Sequence, residues 1–312
     1  MKRYNSTICL LLLFCAISFA QEVKPKAHQF DPPWQPTDLA GTHFTIYGID
    51  NMPDFHGDIN NPDLVIFFAG NQYMVVPELL EAFKNEHPEY SKVFAETIPP
   101  GIEAKQIASG GLIVGNLRIT LQPDIVTAGK QAITLKATQG WFTDTCSYAK
   151  NKLALMVYKG NPKHIASLKD LSKDTIKIAM PNPEWEGIAK RIIKAYQNAG
   201  GDELATAVMK TKLKEGTTLL TTIHHRETPL MIMNGMADVG PVWFSEAYYH
   251  SMLTNHPISM ITIPDNENVY TTYAAGLMKK TTHKEAAKAF MQFLVSKKAQ
   301  DIYRKYGFKT IH

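Results

Sequence analysis

Residues 64–72 read LVIFFAGNQ, and the text that follows changes period. The apolar run 64–68 offers no residue to solvent. A run so short and uniform is expected as a strand covered on both faces, as in a parallel sheet. From Tyr73 to Glu86 the apolar residues Val75, Leu79, Leu80 and Phe83 fall on one side of a helix. A buried strand passing straight into an amphipathic helix is the opening of a βαβ unit, and it demands more of the same downstream.

The chain supplies them. Further strands are expected at 93–97, 124–127, 176–180, 238–243 and 258–263. Helices are expected from Pro99-Pro100-Gly101 through Ile107 and at 129–139, 185–199, 204–212, most of 218–234, 245–253, 283–294 and 297–306. Two alternating segments, 152–159 and 270–279, bracket the middle series and would carry the chain into a second α/β unit and back. The expectation is α/β with two lobes, each a mostly parallel sheet flanked by helices: lobe 1 over 62–155 plus 275–312, lobe 2 over 156–274. Two lobes joined by two strands leave a cleft, where small ligands bind and hinges close.

The ends and the composition narrow the function. Met1-Lys2-Arg3, the apolar run 8–14 and Ser18-Phe19-Ala20 read as a cleavable secretory leader over 1–20, which places the mature chain in the periplasm. Residues 21–61, rich in Pro, Asp, His and aromatics, read as an extended arm with one short strand at 43–49, and His56 as a turn residue. Loss of the leader would leave Cys146 as the one cysteine, so the fold must rest on its core and not on a disulfide. It would also take the net charge from +4 to +2, with no basic run, which argues against nucleic acid. No other segment is apolar and long enough to span a membrane. No nucleophile elbow, HExxH, P-loop or dinucleotide fingerprint is present, so an enzyme is not expected; a hydrolase or transferase with His224 or His225 as base is the remote alternative.

Six pieces, LVIFFAGNQ, PDIVTAGK, KLALMVYKGNP, IKIAMPNPEWEGIAKRI, GMADVGPVWFSEA and AAGLMKKTTHKEAAKAFMQFLVSKKAQDIYRKYGF, arrive in an order that resembles the periplasmic solute-binding proteins of the molybdate/sulfate class, and most nearly the accessory colonisation factor C type. The resemblance covers residues 64–308. It implies a type II periplasmic-binding-protein fold, a small anionic solute, an inner-membrane ABC permease as partner, a monomer and no cofactor. The serines usual after the first strand and at the second helix start are replaced by Gly70-Asn71-Gln72 and Pro99-Pro100-Gly101, so the fold carries over and the ligand's identity does not. A ligand-sensing or delivery role beside another periplasmic protein stays open, because the arm is an added surface.

The site expectation follows from helix starts. In an open parallel sheet the ligand lies beyond the carboxyl ends of the strands, where the next helices point amide hydrogens and the positive end of their dipoles. An anion suits that place. Asn71 and Gln72, Pro100 and Gly101, and Thr127, Ala128 and Gly129 are expected there from lobe 1, with Asn71 alternatively a helix cap. Asn182, Trp185, His225, Arg226 and Trp243 are expected from lobe 2, and Tyr273 from the returning strand. Arg226 would grip an oxyanion or carboxylate in a two-pronged contact, or else pair with a neighbouring acid. Adjacent His224 and His225 diverge on a helix, so no metal site is expected.

Overall fold

The computed structural model describes residues 54–114, 117–184, 186–222 and 224–311. The leader, the expected strand at 43–49 and Trp185 lie outside the described residues. The elements in chain order are β1 Phe55–Gly57, β2 Leu64–Phe67, α1 Val76–Glu86, β3 Val93–Glu96, α2 Pro100–Ser109, β4 Leu112–Val114, β5 Leu117–Ile119, β6 Ile125–Gly129, α3 Lys130–Thr138, β7 Phe142–Asn151, β8 Leu153–Tyr158, β9 Ile178–Met180, α4 Gly187–Thr206, α5 Lys212–Lys214, β10 Thr218–Leu220, α6 Thr228–Met233, β11 Val239–Trp243, α7 Phe244–Met252, β12 Ile258–Thr262, β13 Thr271–Met278, α8 Lys284–Leu294 and α9 Lys297–Lys305.

Among the described residues the strands build a six-stranded sheet in the order β1-β3-β2-β6-β13-β7, a five-stranded sheet β10-β9-β11-β8-β12, and the small hairpin β4-β5. Strands β3, β2 and β6 are parallel, as are β10, β9 and β11. The crossing strands run against them: β13 is antiparallel to β6 and β7, and β8 to β11 and β12. The chain enters the second sheet at Leu153, which pairs with Trp243, and has returned by Thr271, which pairs with Asn151.

The uniform apolar run 64–68 has a direct explanation. Leu64, Ile66 and Phe68 face a core closed by α1, α8 and α9, while Val65 and Phe67 face a second core under α2. Successive side chains of a strand point to opposite faces, so a strand covered twice must be apolar at every position. Strand β8 repeats the device, with Leu153, Leu155 and Val157 in one cluster and Ala154 and Met156 in another.

Several local expectations are corrected. Helix α1 starts at Val76 and not at Tyr73, because Pro77 sits in its first turn and favours a helix start there. Gly70–Gln72 forms a separate 3₁₀ turn, so Asn71 is not that helix's cap. The stretch 218–234 begins with an edge strand, β10, paired parallel to β9. Gly200 and Gly201, by contrast, do interrupt the helix as expected: both leave helical φ/ψ, Gly201 at a φ of 69°, so α4 is two helical segments meeting at a break. His56 is not in a turn: β1 pairs antiparallel with β3, opposing His56 to Ala95.

Beneath α2 lies a polar pocket of the core. Glu96 and Glu103 are fully buried. Gln106 Nε2 donates to Glu96 Oε2 at 3.2 Å, while Glu96 Oε1, both Glu103 oxygens and His56 Nε2 have no hydrogen-bond partner. Burial, reinforced by Asp54, pushes the Glu96 carboxyl up to about 8; burial, then Glu96, pushes Glu103 well above the carboxylate range. Burial, with the charge of Arg226, pulls His56 down to about 4. Burial also pulls His250 down to about 3, aided by His256 and Arg226.

The signs fix a stability profile. The raised acids hold protons that the unfolded chain releases above about pH 4.5, so they erode stability as pH rises toward 8. The depressed histidines refuse protons that the unfolded chain takes below about pH 6.5, so they erode it as pH falls toward 4 and below. Urea unfolding is expected to show a plateau between these limits and losses on both sides, with slopes of roughly 1.4 kcal/mol per pH unit for each group. Glu103→Gln should flatten the alkaline side; an unchanged alkaline slope would contradict the buried-acid explanation.

Candidate functional site

The two sheets face each other across a hollow of about 370 Å³. Its walls are helix beginnings. Ala69, Gly70 and Asn71 come from the turn after β2, and Pro99, Pro100 and Gly101 from the start of α2. Ala128, Gly129, Gln131 and Ala132 come from the junction of β6 and α3. Glu186, Gly187, Ile188 and Arg191 come from the first turns of α4, His224 from the turn before α6, and Trp243 from the end of β11. Thr271 and Tyr273 of β13 close the side. The first amides of α2, α3 and α4 have no acceptor inside their helices. Proline at position 100 gives up nothing in that setting, since its missing N–H would be among the unpaired ones.

The cation of the hollow is Arg191. Its Nε donates to Thr271 Oγ1 at 2.5 Å and its Nη1 to the Gly187 carbonyl at 2.9 Å. These bonds lay the guanidinium across the gap between the two sheets. Nη2 lies 3.4 Å from where a side chain on Gly129 would begin, so the guanidinium abuts the start of α3. The Trp243 ring centroid is 5.9 Å from the guanidinium carbon. Aromatic and hydroxyl groups complete the wall: Trp243 meets Tyr273 edge-on at 6.1 Å, and Asn71 Nδ2 donates to Tyr273 Oη at 2.6 Å.

Of the expected residues, Asn71, Pro100, Gly101, Ala128, Gly129, Trp243 and Tyr273 meet in this hollow. Gln72 does not. It is fully buried, donating to Tyr148 Oη at 2.7 Å and accepting from Tyr303 at 2.8 Å, and so ties the turn to β7 and α9. Thr127 is likewise inside; its Oγ1 accepts the Ala69 amide at 3.0 Å and fixes the strand-end turn. Asn182 organises the approach to α4: its Oδ1 accepts from the Glu184 amide, and its own amide donates to Glu186 Oε1. Glu186 also accepts from Thr221 Oγ1. Trp185 and the His225 side chain lie outside the described residues.

Arg226 is the main correction. It is 3% exposed and does not reach the hollow. Its Nη1 sits 2.7 Å from Asp54 Oδ1, and its guanidinium carbon 4.5 Å from the Tyr73 ring centroid. The arginine therefore joins the second sheet's side to β1 of the first. Tyr73 Oη also meets His250 Nε2 at 2.9 Å, and His250 Nδ1 meets His256 Nδ1 at 2.8 Å. His224 stands between this network and the hollow. Its Nδ1 accepts the Arg226 amide at 3.1 Å, which puts the ring proton on Nε2, beside Gly70. A side chain at Gly70 would lie 3.0 Å from that nitrogen and 3.0 Å from the Thr97 carbonyl, so a larger residue would have to push the ring and the Thr97–Ile98 backbone aside by a few tenths of an ångström.

Sequence reading missed Arg191, Gln131 and Thr271. The one available signal for Arg191 was its place one helical turn after Gly187, at a helix start already assigned to the cleft. Among the described residues no three His, Cys, Asp or Glu side chains converge to hold a metal ion, and no helix is long and apolar enough to cross a membrane.

Comparison with known proteins places this geometry. The family model described as bacterial extracellular solute-binding protein matches residues 64–309. The thiosulfate-binding protein of Escherichia coli K12 is 26% identical over 51% of this chain and 49% of its own length. The chain thus spans about half the length of the known relatives it matches. The sulfate-binding protein SubI of Mycobacterium tuberculosis H37Rv superposes with a TM-score of 0.65 at 19% identity, covering 79% of this chain and 86% of that one. The periplasmic molybdate-binding protein of Azotobacter vinelandii gives 0.63 at 18% identity, covering 78% and 98%. These solved structures share the type II periplasmic-binding-protein fold.

Two substitutions separate structural from binding roles. Arg226→Met leaves Asp54 buried without its cation and should lower the unfolding free energy by about 3–5 kcal/mol. Asp54→Leu combined with Arg226→Met should recover most of that loss in denaturant titrations; a double variant no more stable than the single would refute the pairing.

Proposed function

The chain belongs to the bacterial extracellular solute-binding protein family, and from that premise we propose that it captures a small anion between its two halves and presents it to an ABC importer. The reading rests on one observation: the first turns of α2, α3 and α4 and the guanidinium of Arg191 front a single hollow. Backbone amides and helix dipoles replace the water around an anion without requiring a neutralising lysine in the wall. Arg191 adds charge-assisted hydrogen bonds, which are the stronger kind.

The ligand is an oxyanion or a small carboxylate. Relatives named for thiosulfate, sulfate and molybdate point to the first. The hollow of about 370 Å³, with Pro99, Ile188, Trp243 and Tyr273 in its wall, accommodates the second as well. A structure of similar fold, solved with L-phospholactate bound, supports the second reading. The protein works in the periplasm, as a monomer without cofactor and without catalysis, and its partner is an inner-membrane permease. The units that close are the two sheets with their helices, hinged where β7 passes into β8 and where β12 leads to β13.

Thermal-shift and calorimetric titration with sulfate, thiosulfate, molybdate, phosphate and small carboxylates should identify at least one anion that stabilises and binds. Arg191→Gln should weaken that anion at least tenfold, about 1.4 kcal/mol or more, with little change in unfolding free energy. No response from any anion, or undiminished affinity in Arg191→Gln, would refute the reading.

A further inference from the structure

A second hollow, of about 840 Å³, opens beside the first and shares Gln131, Arg191 and Thr271 with it. It lies between α3 and α4, with residues 269–272 as its floor. Lys130 comes from one wall and Lys190 and Lys194 from the other. No carboxylate lines it, and none of the three lysines is ion-paired among the described residues. The same hollow holds Leu135 and Tyr270, which are 60% and 40% exposed and are two of the six large apolar side chains left open to solvent among the described residues; Lys309 Nζ lies 4.7 Å from the Tyr270 ring centroid. Lysines that serve only solubility are ordinarily interspersed with acids. Here three line one hollow that has no acid in its wall, around an exposed leucine and a tyrosine, at the mouth of the proposed anion cleft; the acid at its edge, Asp265, accepts from Tyr270 Oη at 2.7 Å and is paired with Lys152.

We propose that this vestibule is an outer subsite, and that the solute is an elongated anion with two charged ends and an apolar middle. This rests on the anion-capture reading. One end sits at the helix starts beside Arg191. The stem passes Thr271 and lies over Leu135 and Tyr270. The far anionic group is held by Lys130, Lys190 and Lys194, one lysine on one side of the gap and two on the other, so that binding the far group also draws α3 and α4 together. A bare tetrahedral anion would use the inner hollow alone.

The test titrates two chain-length series, α,ω-dicarboxylates and ω-carboxyalkyl phosphates, each against its one-ended partner, the monocarboxylate or alkyl phosphate of equal length. Inorganic sulfate and phosphate serve as short controls. Affinity for the two-ended compounds should rise to an optimum length and exceed that of the one-ended partners at least tenfold. Lys130→Gln/Lys190→Gln/Lys194→Gln should abolish that gain, with faster dissociation in stopped flow, and leave the short anions within about twofold, since exposed lysines cost little to replace. The single variant Lys194→Glu should reproduce part of the loss. The proposal is overturned if two-ended compounds show no advantage in the wild type or if the triple variant keeps the advantage. It is also overturned if the variant weakens every anion equally through slower association, which is what a steering field alone would do. Wild-type binding of short anions without a length effect would sink the subsite and spare the capture reading, whereas binding of nothing would sink both.

Discussion

A parallel strand that ends in a tight turn hands its chain to a helix whose first amides have nothing to bond inside that helix. This unmet demand organises the molecule. Strands β2, β3, β6 and β9 all end on the same side of their sheets and feed helical turns, and the two sheets are set so that those ends oppose each other. Apolar side chains cannot answer the demand, and lone water does so only loosely. On the proposed reading an anion answers it from both sheets at once, its charge favoured by every dipole that points at it. Under that proposal closure and recognition follow from one interaction, since a guest bonded to both halves would hold them together.

One cation near this opening serves the fold and not the hollow. Arg226, the more conspicuous cation in the sequence, is buried against Asp54 and Tyr73 and ties the start of β1 to the second sheet's side. Removing such a pair from water is costly unless both members meet with good geometry, which the 2.7 Å contact supplies. The residues just ahead of β2 are therefore part of the packed body and not a loose appendage. Arg191 fronts the hollow instead, held by Thr271 and the Gly187 carbonyl, so that little side-chain freedom would be lost if it bound the proposed anion.

What the sequence disclosed and what it hid follow from the range of the interactions involved. The unbroken run 64–68, the helical spacing of Val75, Leu79, Leu80 and Phe83, and the crossing strands near 153 and 271 are local patterns, and local patterns reveal elements and their order. Strand-end turns such as Ala128-Gly129 could be assigned to the cleft because parallel topology puts them there. Whether a polar side chain in such a turn looks outward or inward depends on distant partners. Gln72 is claimed by Tyr148 and Tyr303, Thr127 by the Ala69 amide, and Arg226 by Asp54. None of these partners is near in sequence, so spacing carried no trace of them. Arg191 was hidden for the opposite reason: on an amphipathic helix beside Lys190 and Lys194 it looks like one more solvent-facing cation.

The most direct test of the central claim observes the amides themselves. Proton–nitrogen correlation spectra of the labelled protein, recorded with and without a saturating anion from the binding screen, report each backbone N–H separately. The account predicts that Gly101, Gln131, Gly187 and Ile188 move downfield as their hydrogens bond the anion, and that their exchange with solvent slows. Spectra in which those amides stay in place while the bound anion perturbs another surface would contradict it.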